Sequence, residues 1–256
     1  MVRSLYTACT GMVHQMNRLD VVTNNMANSD TTAYKKEGST SQSFDSVYGI
    51  KINDSSVNYI HQNIGRMSLG VKVGETYTDY GDGNLEETEQ LYDMALSGKG
   101  FFAISYADRN GNESVRYTRD GNFTVNSQGV LMTKDGDFVL AEDGGLINIP
   151  EGVKISVDES GRITADGQEI AQLQLVDFED YNYLKKFGEN MYIAIDGATT
   201  TDAQCKVYQG YLEASNVNVV TEMVDMITIT RDYESNQKVI QTIDSTLEKS
   251  VALGRV

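Results

Sequence analysis

The residues of this chain that could do chemistry are few, and their spacing does not suit it. His14 and His61 are the only histidines. Zinc hydrolysis needs imidazoles converging on one ion, as in H-E-x-x-H on a helix, and neither histidine has a Cys or Glu partner at such spacing. His14 falls on the polar side of a helical pattern and His61 in a polar stretch, so both read as solvated. Cys9 and Cys205 are far apart and form neither a disulfide framework nor a metal pattern, so both read as free thiols. Ser97-Gly98-Lys99-Gly100 resembles a phosphate loop only in its glycines. The required spacing and the following Ser or Thr are missing, and a turn is expected there. No Gly-x-Ser-x-Gly elbow occurs. Asp135, Asp137, Glu142 and Asp143 lack calcium-loop spacing and read as Asp-Gly hairpin turns. Glycosylation sequons at Asn53, Asn112 and Asn122 are what chance produces in an Asn-rich chain. The expectation is a protein without catalytic residues, metal or cofactor.

Composition narrows the partners. The formal charge of −16 repels phosphate backbones, which argues against nucleic-acid binding and keeps an unassembled chain soluble. No apolar run approaches the ~20 residues of a membrane span, so direct membrane insertion is not expected. Residues 1–18 carry apolar side chains broken by Thr, Gly, His and Gln, so no cleaved secretion signal is expected. The apolar content of 40% supports a core. Abundant Gly with a single Pro, Pro150, favours strand turns over rigid linkers.

The elements that would carry any function lie at the two ends. Leu5, Met12, Leu19 and Met26 recur every seven residues, with Ala8, Cys9, Met16 and Val22 filling the same face. Thr10, Gln15, Asn17, Arg18 and Asn24 occupy the opposite face, and Ser4 is a candidate cap. Gly11 costs about 1 kcal/mol against Ala inside a helix, so tertiary packing should hold this one. Val219, Met226, Tyr233, Ile240 and Leu247 repeat the step, widened by Met223, Ile229, Ile243 and Val251. Glu222, Asp225, Arg231, Asp232, Glu234, Lys238 and Glu248 lie between them. Asn218 is a candidate N-cap and Gly254 a candidate stop. Such stripes suit a coiled-coil seam.

The middle reads differently. Residues 36–89 are polar and without a sustained helical period, so partly irregular structure with short strands is expected. From 95 to 209 the pattern is short strands and tight turns. Tyr117–Val125 predicts a strand pair broken at Asp120-Gly121. Turns are expected at 126–129, 134–137, 158–161 and Asp166-Gly167, and Ala171, Leu173 and Leu175 alternate as one half-buried strand. The fold class is α+β: N- and C-terminal helices forming a coiled-coil-like bundle, with an inserted all-β middle domain. The expected divisions are 1–35, an N-terminal helix; 36–94, a polar connection; 95–210, a β-rich domain; and 211–256, a C-terminal helix.

Several motifs resemble those of bacterial flagellar rod proteins. Residues 24–36 read NNMANSDTTAYKK, and Asn24, Asn25, Ala27, Asn28, Thr31, Tyr34 and Lys35 fit the N-terminal signature of flagellar axial proteins. That family usually has Gly and Phe where Ala33 and Tyr34 stand. Residues 209–234 resemble the C-terminal rod and hook signature, with Glu213, Ser215, Asn216, Val217 and Val219 in place. ALSGKGFF (95–102) and YTRDGNF (117–123) look like its β-domain motifs. Chain length and YTRDGNF indicate the proximal or distal rod type, and ASNVNVVTEMVDMI (214–227) favours the distal. The resemblance implies a structural subunit of the basal-body rod, located outside the cytoplasm. It implies copies of the chain itself, other rod and hook proteins, and the flagellar export apparatus as partners. Terminal helices would build an axial core, with the β domain facing outward. A secreted adhesin or enzyme on a helical stalk is the alternative. A cytoplasmic coiled-coil regulator is a third reading, opposed by the ordered β-domain motifs.

Overall fold

A computed structural model describes residues 2–52, 61–108, 113–150 and 152–254. The heptad segments are both helical: α1 spans Val2–Ala27 and α2 spans Val219–Leu253. Strands fill the chain between them, so the class is α+β. The structure divides into two compact units, one of residues 1–27, 37–79 and 218–256, the other of 28–36 and 80–217.

In the first unit α1 and α2 lie side by side. Their direction is antiparallel: Gln15 Nε2 donates to Asp232 Oδ2 at 3.2 Å, and Asn25 Nδ2 donates to Glu222 Oε2 at 3.3 Å. A Cβ on Gly11 would sit 3.2 Å from Asn236 Nδ2, so the helix-weakening glycine lies at a close approach of the two helices. Asn218 caps α2, its side chain accepting from Val220 N and Thr221 N, and α2 stops at Gly254. Ser4 lies inside α1 and is not its cap. A two-stranded antiparallel ribbon completes the unit. Glu37–Ser43 pairs with Val71–Thr78 around a bulge between Ser39 and Ser41, and Val47–Ile52 pairs with His61–Met67. Its inner half packs on α1.

Among the described residues, the largest sheet of the second unit has nine strands, with Phe101–Ala107 bonded to Glu113–Thr118, Phe138–Val139 and Leu175–Phe178. Phe101, Phe102, Ala103 and Ile104 are all buried, which requires cover on both faces of that strand. One face contributes to a large aliphatic core with Leu131, Ile147, Ile163 and Leu173. The other joins an aromatic cluster of Phe101, Phe178 and Tyr192 with Tyr80 and Tyr181 at its margin. Tight turns fall where expected between Phe123–Val125 and Leu131–Thr133, between Ile155–Val157 and Arg162–Ala165, and at Asp166-Gly167, both at positive φ.

Three strand expectations need correction. Glu113–Thr118 and Phe123–Val125 do not pair with each other; they join different neighbours, and Asp120-Gly121 is a crossing between them. Gly121 is required there, because a Cβ would fall 1.5 Å from Met94 O. Ala171 and Leu175 belong to two strands, Gln168–Gln172 and Leu175–Phe178, with Leu173 bridging to Ala141 between them. Ser97-Gly98-Lys99-Gly100 is not a turn: it ends the strand Met94–Lys99, paired with Gln204–Gln209.

Candidate functional site

The sequence motifs of the second unit converge on one buried group of charges. Lys35 and Glu213 form an ion pair with side chains 1% and 0% exposed. The same Glu213 Oε1 accepts from Gly83 N at 2.8 Å, and Lys35 Nζ also donates to Gly81 O at 2.9 Å. Arg119 enters from the YTRDGNF segment. Its Nη1 donates to Asp82 Oδ1 at 2.8 Å and lies 3.4 Å from Glu213 Oε2, while its Nε donates to Gly100 O at 3.0 Å and its Nη2 to Gly98 O. The glycine-rich segment therefore supplies carbonyl acceptors to a cation. Burial pushes the Lys35 ammonium down, against the opposing pull of Glu213.

Backbone bonds sew the two motif segments together around this group. Ala33 N donates to Glu213 O at 2.8 Å, and Asn216 N donates to Tyr34 O at 3.3 Å. Asn216 Oδ1 accepts from Lys36 N at 2.7 Å, and its Nδ2 donates to Gly81 O. Ser215 Oγ accepts from Val217 N, and Asn28 Oδ1 accepts from Thr31 Oγ1. Ala33 adopts φ +55°, the left-handed conformation that glycine takes more easily. The Asp120 carboxylate accepts from Asn122 N and from Asn190 Nδ2, and burial pushes it up. Asn122 is thus part of this turn; the sequons at Asn53 and Asn112 lie outside the described residues.

The helical unit has its own polar anchor. Asn25, buried on α1, donates through Nδ2 to Glu37 O at 2.8 Å and accepts at Oδ1 from Glu37 N at 3.0 Å. It thereby bonds Glu37 as a neighbouring strand would and starts the ribbon. Ala27 and Asn24 are exposed. Glu222, which the sequence places between the stripe residues of α2, is 1% exposed beneath Asn25.

The stripe residues Leu5, Met12, Leu19, Met26, Val219, Met226, Tyr233, Ile240 and Leu247 are all half-buried. Ala8, Val22 and Ile229 are buried beside them. Cys9, Met16, Met223 and Val251, assigned to the same faces, are instead exposed, and Gln15 lies on the inter-helix line rather than opposite it. His14 is also not solvated. It is buried against the ribbon, its Nε2 2.9 Å from Ser41 Oγ, and burial together with Arg18 holds its pKa below 6.5. The side chain of His61 lies outside the described residues. Both cysteines are free.

Comparison with known proteins shows which family carries these motifs. Residues 5–35 match the family described as flagella basal body rod protein, and residues 95–165 the flagellar hook protein FlgE/F/G D1 domain. Residues 208–253 match the flagellar basal body rod FlgEFG protein C-terminal family. The chain is 32% identical to the flagellar basal-body rod protein FlgG of Bacillus subtilis, with 100% of each chain covered. It is 34% identical to the FlgG of Agrobacterium fabrum, over 95% of this chain and 96% of that one. It is also 34% identical to the flagellar basal-body rod protein FlgF of Caulobacter vibrioides, over 98% and 96%. The chain belongs to the family of flagellar basal-body rod proteins. It is a structural subunit of the rod.

Proposed function

We propose that this subunit polymerises through α1 and α2 into the axial core of the rod, in a coiled-coil-like bundle with copies of itself and with other rod and hook proteins. The observation that carries this reading is the helical unit itself. Its heptad residues are only half-buried by one another, and large apolar side chains remain exposed along both helices. Residues 1–35 and 211–256 are then the axial core, 36–94 the connection and 95–210 the outward domain. The subunit leaves the cytoplasm through the flagellar export apparatus without signal cleavage, and the 214–227 segment favours the distal rod type. Its role is mechanical and needs no cofactor. Non-closing contacts between identical units generate helical filaments, so modest burial repeated at every subunit makes a rigid shaft.

Ile240 tests this. Replacing it with Asp places a charge in the seam, and an unpaired buried charge costs several kcal/mol. Ile240→Asp should leave a soluble, β-rich protein but prevent rod completion and abolish swimming. Lys238→Asp, at an exposed position, should do much less. Normal swimming and full-length rods in the Ile240→Asp strain, at wild-type protein level, would overturn the proposal.

A further inference from the structure

The face of α1 that meets the ribbon is polar. Arg3, Thr7, Thr10 and His14 recur at steps of four, three and four, which sets them in one line along the helix. Each touches the ribbon. Arg3 Nη1 donates to Met67 Sδ at 3.3 Å, and Thr7 Oγ1 donates to Leu69 O at 3.4 Å. A Cβ on Gly70 would fall 2.2 Å from Thr10 Oγ1, so the chain passes directly over that residue. His14 Nε2 stands 2.9 Å from Ser41 Oγ. The strand Glu37–Ser43 reads EGSTSQS and offers no apolar side chain. Its partner, Val71–Thr78, adds Val71 and Val73, both half-buried. Hydrophobic stabilisation grows with the apolar area removed from water, so the ribbon is held on α1 largely by polar contacts.

His14 is the buried titratable group on this line. Its Nε2 meets Ser41, while its Nδ1 is buried with no hydrogen-bond partner among the described residues. An imidazolium donates from both nitrogens. Its Nδ1 proton would meet no acceptor here, and a buried charge without a partner is costly. The charges around the ring do not offset that cost. On α1 the group acting on it is Arg18, of like sign. On the ribbon, Lys72 and Glu75 are exposed, and Glu37 lies against Asn25, about three helical turns away. On α2, Asp232 is engaged by Gln15.

We infer that His14 is an acid-sensitive latch: the ribbon lies along α1 while the ring is neutral and lifts off when the ring is protonated. A released ring is hydrated and titrates near the ordinary value of about 6.5. The docked ring titrates below that value, held down by burial and by Arg18. Between the two values the released state binds more protons, so the ratio of released to docked subunits rises by up to about tenfold for each unit that pH falls. The contacts Gln15 to Asp232 and Asn25 to Glu222 contain no histidine, so α1 and α2 should stay together while the ribbon moves.

Spin labels at Asp20→Cys on α1 and Gln42→Cys on the ribbon test this in the full chain, in a Cys9→Ser and Cys205→Ser background. Asp20 and Gln42 are both exposed. Pulsed electron spin resonance should give one narrow distance at about pH 7.5 and a longer, broader distribution at about pH 5, on either side of the ordinary histidine value. The change should reverse on return to the higher pH, with the helical circular dichroism signal kept. His14→Gln, which stays neutral, should hold the narrow distance at both. Arg18→Gln removes the like charge and should move the opening to lower pH, which keeps the idea testable if His14→Gln does not fold. A narrow distance at both pH values in the parent overturns the inference. So does an opening in His14→Gln equal to the parent's, an opening in Arg18→Gln that is not moved to lower pH, or an opening that comes only with loss of the helical signal.

Discussion

In the β-rich unit four successive residues, Phe101 to Ile104, are buried in a single strand. In α2 only Glu222 and Ile229 are buried along 35 residues. The first pattern belongs to a unit that stabilises itself, with an aliphatic core, an aromatic cluster and an ion-paired Lys35–Glu213–Arg119 group held among them. The second belongs to a unit that leaves large apolar side chains exposed along both helices. Isolated helices gain little in water without tertiary packing, so α1 and α2 depend on each other and on the ribbon that packs on α1. In the proposed assembly a rod subunit would gain from this division, being folded in one part and ready to assemble in the other.

The largest effect should come from breaking the buried charges. Glu213→Ala leaves Lys35 and Arg119 buried without their shared carboxylate and also frees Gly83 N. Removing one partner of a buried ion pair costs about 3–5 kcal/mol. Denaturant unfolding followed by the β-sheet circular dichroism signal should show a loss of that size. A change below about 0.5 kcal/mol, the range of ordinary surface substitutions, would mean that the group does not hold the β-rich unit.

A smaller effect concerns the helical unit and pH. His14 is held neutral by burial and by Arg18, so its folded pKa lies below 6.5. The groups facing it are Arg18 on α1 and the Ser41 hydroxyl on the ribbon. Between the folded and unfolded values the unfolded chain binds more protons, so stability rises with pH there. Stability should be complete above about pH 6.5, the unfolded value, and decline as pH falls below it toward the folded one. His14→Gln should flatten that slope when helix unfolding is followed by circular dichroism across pH 5 to 8. An unchanged slope would show that His14 does not couple to folding.

The sequence announced the helices because seven-residue steps need no knowledge of a partner. It could not sort the residues flanking each step. Cys9 and Ala8 are adjacent and both apolar, yet only the position of α2 decides that Ala8 is covered and Cys9 is open. Glu222 reads only as a carboxylate between stripe residues until Asn25, 197 residues away, is seen beside it. His14 reads as polar surface until the ribbon lies over it. The buried charge group was present in pieces, since Lys35, Arg119 and Glu213 each stand inside a recognised motif. A cation or carboxylate embedded in a motif with no catalytic chemistry was the available signal. Their separation of 178 residues, from Lys35 to Glu213, hid the pairing. Tight turns were legible for the opposite reason, because Asp166-Gly167 encodes its own backbone conformation.

Amide hydrogen exchange on the full chain, as purified monomer and within isolated rods, tests the contrast between the units most directly. In the monomer, amides of Phe101–Ala107 should be strongly protected while those of α1 and α2 exchange orders of magnitude faster, and in the rod both helices should become protected. Helices as protected in the monomer as the central strand, with no gain on assembly, would contradict the account.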